Sequence, residues 1–442
     1  MNATLSKYFL YYPTTILNGE YLYKHTENYN NFQYLEKSAA QKITDQHLKN
    51  LLIYAGENSS YYKDKLKNLT LLDPLKDFEK IPFLTKQDLI KNIDSIITPM
   101  SKKASVKTTG GSTGEPVKLY KNADALARER VATWRSYQWA GIGIGDKQAR
   151  FWGVPHNLKN SLKARLVDMA ANRLRVSAFN LTEESLANYY KKLSAFQPKY
   201  LYGYVSVIKA FSEYISTHKL KPIASIISII TTSEVLTEVD REKISGVWGV
   251  KVFNEYGCGE VGSIAHECEF GNLHVVSDNL KVEVINSNGE PCSTGEVVVT
   301  DYFNYATPLI RYRLGDFATL SDKACQCGRT LPILKGIHGR AYDIITTPSG
   351  KSIHPEALIY IFEDIQQNTA AFNQFQIIQT HSDKLSINII RNKNWNDDLK
   401  QKIETQIHTK IDPKFQCEFV FCDVLLREKS GKMRVVKSNI QP

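Results

Sequence analysis

The sequence predicts an α/β chain: a large N-terminal unit on a largely parallel sheet, a β-rich stretch behind it, and a small α+β unit at the C-terminal end. Three observations carry this. Short apolar runs at 148–154 and 225–231, bounded by Gly, Pro, Ser or Thr, read as buried strands. Helical patterns at 183–195 and 205–217 lie between them, and strands that alternate with helices build parallel sheets. Beyond Gly339-Arg340 the pattern resets, which divides the chain into 1–339 and 340–442.

The elements follow in order. The first 70 or so residues read as helical and polar, with tyrosines scattered among lysines. Residues 123–140 combine helix-forming composition with apolar spacing near 3.6. The run 250–253 reads as a strand that delivers a Gly-rich loop, Asn254 to Glu260. From Leu280 the texture changes: 280–285, an Asn288-Gly289 turn and 295–300 predict a hairpin, and 308–312 another strand. In the last unit, 356–364 and 396–407 read as helices, and 372–379, 384–391 and 417–421 as strands.

Composition bounds the function. The chain has 442 residues, 42% of them hydrophobic, enough for sizeable cores. Its formal charge of +10 comes from lysines and arginines spread throughout, which suits anionic ligands such as nucleotides. No aromatic-basic motif points to nucleic acid. The apolar stretch Tyr8-Phe9-Leu10-Tyr11-Tyr12 is interrupted by Pro13 and lacks a cleavage site, and no run reaches the ~20 apolar residues of a membrane span. Seven unevenly spaced cysteines argue against a disulfide framework and for a reducing cytoplasm.

Several motifs carry chemistry. Thr109-Gly110-Gly111-Ser112-Thr113-Gly114 offers backbone amides and hydroxyls that can cradle phosphate, or it is a plain turn. It is not a Walker loop, because Glu115-Pro116 follows Gly114. Glu260, past the 250–253 run, is either a surface acid or a Mg²⁺ ligand, since Mg²⁺ takes one or two carboxylates plus phosphate oxygens. Asp316, in Arg311-Tyr312-Arg313-Leu314-Gly315-Asp316, reads as a loop-borne acid that pairs with an arginine or clasps two ribose hydroxyls. Lys432 sits in the Gly turn Ser430-Gly431-Lys432. Cys268, His274, Cys325 and Cys327 form a Cys-x₅-His and Cys-x-Cys set suited to structural Zn²⁺, with His266 and Cys258 as substitutes; the alternative is four unrelated residues.

Taken in order, these stretches resemble the AMP-forming acyl/aryl-adenylating ligase superfamily, closest to its phenylacetate–CoA ligase-like branch, which includes enzymes of capsular-polysaccharide loci. The resemblance runs from about Tyr54 to Asn439. It implies a large N-terminal ATP- and acyl-binding domain with a small mobile lid domain. It also implies roles: the phosphate loop from Thr109 to Pro116, adenine flanked by Ser233-Glu234 and Glu255-Tyr256-Gly257, Mg²⁺ at Glu260, ribose at Asp316, a hinge at Arg340, and a catalytic lysine at Lys432. Similar Cys/His positions occur in this branch. Two departures stand out. Gly259 replaces the usual Ser or Thr before the metal glutamate, and Tyr342, with Asp343 behind it, occupies the usual hinge pivot.

The implied function is ATP-dependent activation of a carboxylic acid, with pyrophosphate release and acyl transfer to a thiol, by expectation coenzyme A. Aromatic and small residues at Trp152-Gly153, Tyr202-Gly203-Tyr204 and Gly257-Cys258, where such enzymes bind the acyl group, fit an aryl or short acyl acid. The alternatives are transfer to an amine, hydroxyl or carrier protein, and a non-catalytic nucleotide-binding relative. A cytoplasmic enzyme is expected, with room for a homodimer.

Overall fold

The computed structural model describes residues 1–67, 77–109, 117–152, 165–178, 181–234, 236, 238–286, 288–337, 345–353, 356–423, 425–426 and 436–440. The chain divides into two compact units. The described residues of Met1–Lys107, Lys118–Ala178 and Glu183–Gly339 make the larger, and those of Thr108–Val117, Phe179–Thr182 and Arg340–Pro442 the smaller.

The larger unit is organised by one sheet. Strands β1 (Ser105–Thr109) and β2 (Val117–Lys121) stand apart as a pair. Then come β3 (Gln148–Trp152), β4 (Arg173–Ser177), β5 (Tyr200–Tyr204), β6 (Ser228–Thr232) and β7 (Lys251–Cys258). They are followed by β8 (Gly262–Glu267), β9 (Leu273–Val275), β10 (Leu280–Ile285), β11 (Thr294–Asp301), β12 (Tyr312–Ser321) and β13 (Ile333–Ile337). Strands β3 to β13 form eleven neighbours in the order β10-β11-β12-β13-β9-β8-β7-β6-β5-β3-β4. From β4 to β7 the pairing is parallel; from β7 to β10 it is antiparallel.

The parallel half is the α/β arrangement read from the sequence. Every residue of β5 and β6 is buried, as expected of strands covered on both faces by crossover helices. Helix Val205–Thr217 packs on β5 and β6, and helix Glu238–Trp248 on β7. Between those two helices, Trp248 donates its Nε1–H to Ser212 Oγ at 2.8 Å. Helix Ala123–Trp139 buries Leu126, Ala127, Val131 and Ala132 and lies against β8.

The β-rich stretch is not a separate layer. It continues the parallel sheet edge to edge, because β7 offers its second edge to β8. The hairpin of β10 and β11 forms as expected, with Leu280 opposite Asp301. The strand expected at 308–312 does not form; β12 begins at Tyr312. Arg311 explains this. It takes a left-handed φ of 50°, which breaks an extended run. Its buried guanidinium pairs with Glu283 at 2.9 Å and donates to the carbonyls of Glu79 and Ile81.

The smaller unit pairs β14 (Ile345–Thr346) with β15 (Ser352–Ile353), and adds β16 (Phe372–His381), β17 (Lys384–Arg391), β18 (Gln416–Phe421) and β19 (Val436–Ser438) in the order β18-β17-β16-β19. Helices Glu356–Thr369 and Asp398–Lys410 accompany the four-stranded sheet, and Phe362, Phe375, Ile377, Ile387 and Ile403 share its core. Among the described residues no helix is long and apolar enough to cross a membrane.

Arg311 ties three segments together while almost fully buried. Removing one partner of such a group leaves an unpaired charge, so Arg311→Met should lower stability by about 3–5 kcal/mol in urea unfolding. A loss below about 1 kcal/mol would contradict this role.

Candidate active site

Strand β7 is the seam where parallel pairing gives way to antiparallel, and three named residues lie along it: Glu255, Tyr256 and Gly257. The sequence placed them in a Gly-rich loop, but they belong to the strand, which runs to Cys258. Gly257 misled because glycine often marks a turn. Here it serves close backbone approach: a Cβ at Gly257 would lie 2.5 Å from the carbonyl oxygen of Gly262 on β8. Asp316 is likewise inside β12 and not on a loop.

These residues meet although their strands are far apart in the sheet. β12 stands four places from β7, which would be about 19 Å across a flat sheet. Yet Tyr256 donates its hydroxyl to Asp316 Oδ2 at 3.0 Å. The antiparallel half must therefore curl back over β7. Glu260 lies in the turn beyond β7, buried, with the Tyr312 hydroxyl of β12 3.5 Å from its carboxylate. Glu255 accepts from Tyr137 at 2.8 Å and Ser263 at 2.9 Å. Burial raises its pKa, and those two hydrogen bonds oppose the rise. At the end of the neighbouring strand, where Thr232 pairs with Glu255, come Ser233 and Glu234. Ser233 has a left-handed φ of 68°, a conformation that costs a non-glycine residue energy and re-aims the chain.

Beneath the Glu260 turn lies a pair that the sequence did not signal. Lys121, almost fully buried at the end of β2, bonds Glu129 at 2.6 Å. Gly262 has φ 80°, and a Cβ there would come 2.4 Å from the Glu129 carboxyl carbon. No spacing rule links Lys121 to Glu129, since one closes a strand and the other sits in a helix. Tyr137 and Ser263, which hold Glu255, were missed for the same reason. The Cys258 thiol is pushed well up by burial, helped by the charge of Glu260. Thr109 ends β1; Gly110, Gly111, Ser112, Thr113, Gly114, Arg340 and Lys432 lie outside the described residues.

A second constellation lies where the β8–β9 turn meets the β12–β13 connection. The donor atoms of Cys268, His274, Cys325 and Cys327 all lie within 4.8 Å of one another. Cys268 Sγ is 3.6 Å from Cys325 Sγ, and Cys327 Sγ is 3.3 Å from His274 Nε2. Four ligands around Zn²⁺ at ~2.3 Å would stand about 3.8 Å apart, so the spacing fits a shared tetrahedral ion. The first distance is far too long for a disulfide. Leu331 O lies 3.2 Å from His274 Nδ1, which would turn Nε2 to the ion. Backbone amides of Phe270 and Cys327 and the Asn272 side chain point at the sulfurs. His266 and Cys258 fall outside the set; the buried His266 ring packs edge-on to Tyr137, and burial lowers its pKa to about 3.

The likenesses to known proteins fit this geometry. Solved structures of 2-hydroxyisobutyryl-CoA ligase share the fold: one, bound to 2-HIB-AMP and CoA in the thioesterification state, has a TM-score of 0.64 at 20% identity, over 92% of this chain and 91% of that one. The family of the CapK C-terminal domain matches residues 345–439. Protein CapK of Staphylococcus aureus is 26% identical over 408 residues, 90% of this chain and 89% of CapK. Phenylacetate-coenzyme A ligase of Thermus thermophilus is 27% identical over 347 residues, 73% and 74% of the two chains. These likenesses are to the AMP-forming ligase superfamily, and in sequence to its phenylacetate–CoA ligase-like branch.

Gly262→Ala tests the packing under the Glu260 turn. It forces a side chain into a left-handed conformation and against a carboxyl already paired with a buried lysine. Unfolding should show a loss of about 1–3 kcal/mol. A neutral result would mean that the turn does not rest on Glu129.

Proposed function

We propose that this protein activates a carboxylic acid with ATP and passes the acyl group to coenzyme A. The observation that carries the reading is convergence: Glu260, Tyr256 and Asp316, from motifs far apart in sequence, share one end of the β7 seam, with Ser233 and Glu234 on the adjoining strand end. Open α/β sheets bind ligands at such strand ends. The likeness to phenylacetate-coenzyme A ligases over nearly three quarters of their length supports the same chemistry.

In this reading Asp316, oriented by Tyr256, accepts from the two ribose hydroxyls, and the Thr109–Pro116 segment cradles the phosphates. A carboxylate oxygen of the acid attacks the α-phosphorus in line, and the bond to pyrophosphate breaks. No protein nucleophile is needed, so the residues orient the partners and offset charge. Glu260, a buried carboxylate, suits Mg²⁺, which when bound would neutralise phosphoryl charge. Lys432 is assigned the role of a second cation that offsets the same charge. A thiol then attacks the acyl carbon and AMP leaves. The Cys268, His274, Cys325 and Cys327 set would hold Zn²⁺ in a closed structural role, with no open position for substrate.

Two measurements test this. Acid-dependent pyrophosphate release should fall about 10²–10³-fold in Lys432→Ala while ATP binding persists. Release that survives the substitution would remove Lys432 from the mechanism, and none from the wild type with any acid would overturn adenylation. Elemental analysis of unchelated protein should find about one zinc per chain, absent from a Cys325→Ser, Cys327→Ser double variant. A zinc-free, fully folded wild type would end the metal proposal.

A further inference from the structure

The adenylating reading gives no role to Arg150, at the centre of β3. Parallel register sets it beside Arg175 of β4 on one side and Tyr202 of β5 on the other. Alternation then puts Arg150 and Trp152 on one face with Arg173, Arg175, Tyr202 and Tyr204. The Arg150 guanidinium lies 4.6 Å from the Trp152 ring centre and 5.0 Å from that of Tyr202. Its Nε is buried without a hydrogen-bond partner, and no ion pair reaches it among the described residues.

The neighbours offset this charge only through space: the Arg150 charge acts to lower the pKa of Glu255, but no acid hydrogen-bonds it among the described residues. Asp168 is the acid here, and it is already engaged, 3.0 Å from Arg175 and 3.4 Å from Arg173. Asp168 thus serves two guanidiniums and leaves the third, Arg150, without a carboxylate in contact among the described residues. Burial, then the charge of Arg150, lowers the pKa of Arg173, as expected of cations crowded together. Glu255, the next acid toward the seam, is occupied by Tyr137 and Ser263. Aromatic faces attract a cation but supply no acceptor for its N–H groups.

The same face runs into the candidate active site. Tyr202 lies beside Tyr137, with ring centroids 6.3 Å apart, and Tyr137 bonds Glu255, which register through Tyr204 and Thr232 sets on this same face at the end of β7. A ligand lying along Trp152 and Tyr202 would therefore reach from Arg150 toward Glu255 and the strand ends that carry it.

We propose that Arg150 is the recognition group for a second anionic group on the acid substrate, so that the protein activates dicarboxylic or similarly charged acids in preference to monocarboxylic ones. This rests on the adenylating reading. A guanidinium over aromatic rings presents a planar fork that matches a carboxylate bidentately, and the rings pack the carbon skeleton between the two charged ends. The carboxylate nearer β7 would react; the one at Arg150 would stay ionised and select the substrate.

The test uses acids that differ by one carboxylate: butanoate with succinate, and phenylacetate with 4-carboxyphenylacetate. In pyrophosphate release by the full chain, kcat/KM should favour the charged member of at least one pair by tenfold or more. Arg150→Met should cut that preference about 10–100-fold, mainly through KM, with Arg150→Lys between the two. A preference for the uncharged member in both pairs, or one that survives Arg150→Met, overturns the proposal. Calorimetry of the charged acids separates it from its parent reading. Binding to the wild type that is lost in a folded Arg150→Met, with no pyrophosphate release, would uphold the arginine and sink adenylation. Release that ignores Arg150 would do the reverse.

Discussion

The curl that brings β12 onto β7 is the constraint on which the site depends. Its signature is the 3.0 Å bond between Tyr256 and Asp316, residues whose strands are four places apart. A flat sheet would leave Asp316 about 19 Å from the seam. Twist is inherent to β-strands, but this much curvature needs help. The register shifts within β7–β8, β11–β12 and β12–β13 supply some of it, each an irregularity that bends a strand locally. Gly257 supplies more, since only a residue without Cβ lets β7 and β8 approach as they do.

The Cys/His cluster belongs to the same constraint. It joins the turn after β8 to the connection before β13, and Ile333 of β13 pairs with His274 of β9. In its proposed role an ion there would clamp the strands between β7 and β12, keeping the curl in place from behind. Arg311 does the corresponding work at the other end. It anchors the residue before β12 to Glu283 and to two carbonyls near position 80, which sets where Asp316 falls. The residues proposed to face the nucleotide are thus held by groups outside the proposed site.

Much of the fold was legible in the sequence, for identifiable reasons. Buried parallel strands such as β6 are short apolar runs with sharp boundaries, and the β10–β11 hairpin has its turn residues in place. The metal-type cluster was legible because soft ligands in close pairs have few other uses, and proximity then singled out four of the six candidates. What escaped was everything set by pairing across distance. Nothing local to β8 or to the three-residue β9 says that they extend a parallel sheet. Glu255 and Asp316 looked loop-borne because glycine signals both a turn and a close approach. Lys121 with Glu129, and Arg150 with its aromatic neighbours, appear only once strands are in register.

The central claim is that a carboxylate oxygen attacks the α-phosphorus of ATP, and isotope transfer tests it directly. An activated acid labelled with ¹⁸O in both carboxylate oxygens, turned over with ATP and coenzyme A, should deliver one labelled oxygen to AMP. This follows because the P–O bond formed in adenylation is kept when the thiol displaces AMP. Label in inorganic phosphate, with ADP as product, would mean attack at the γ-phosphorus and would contradict the account.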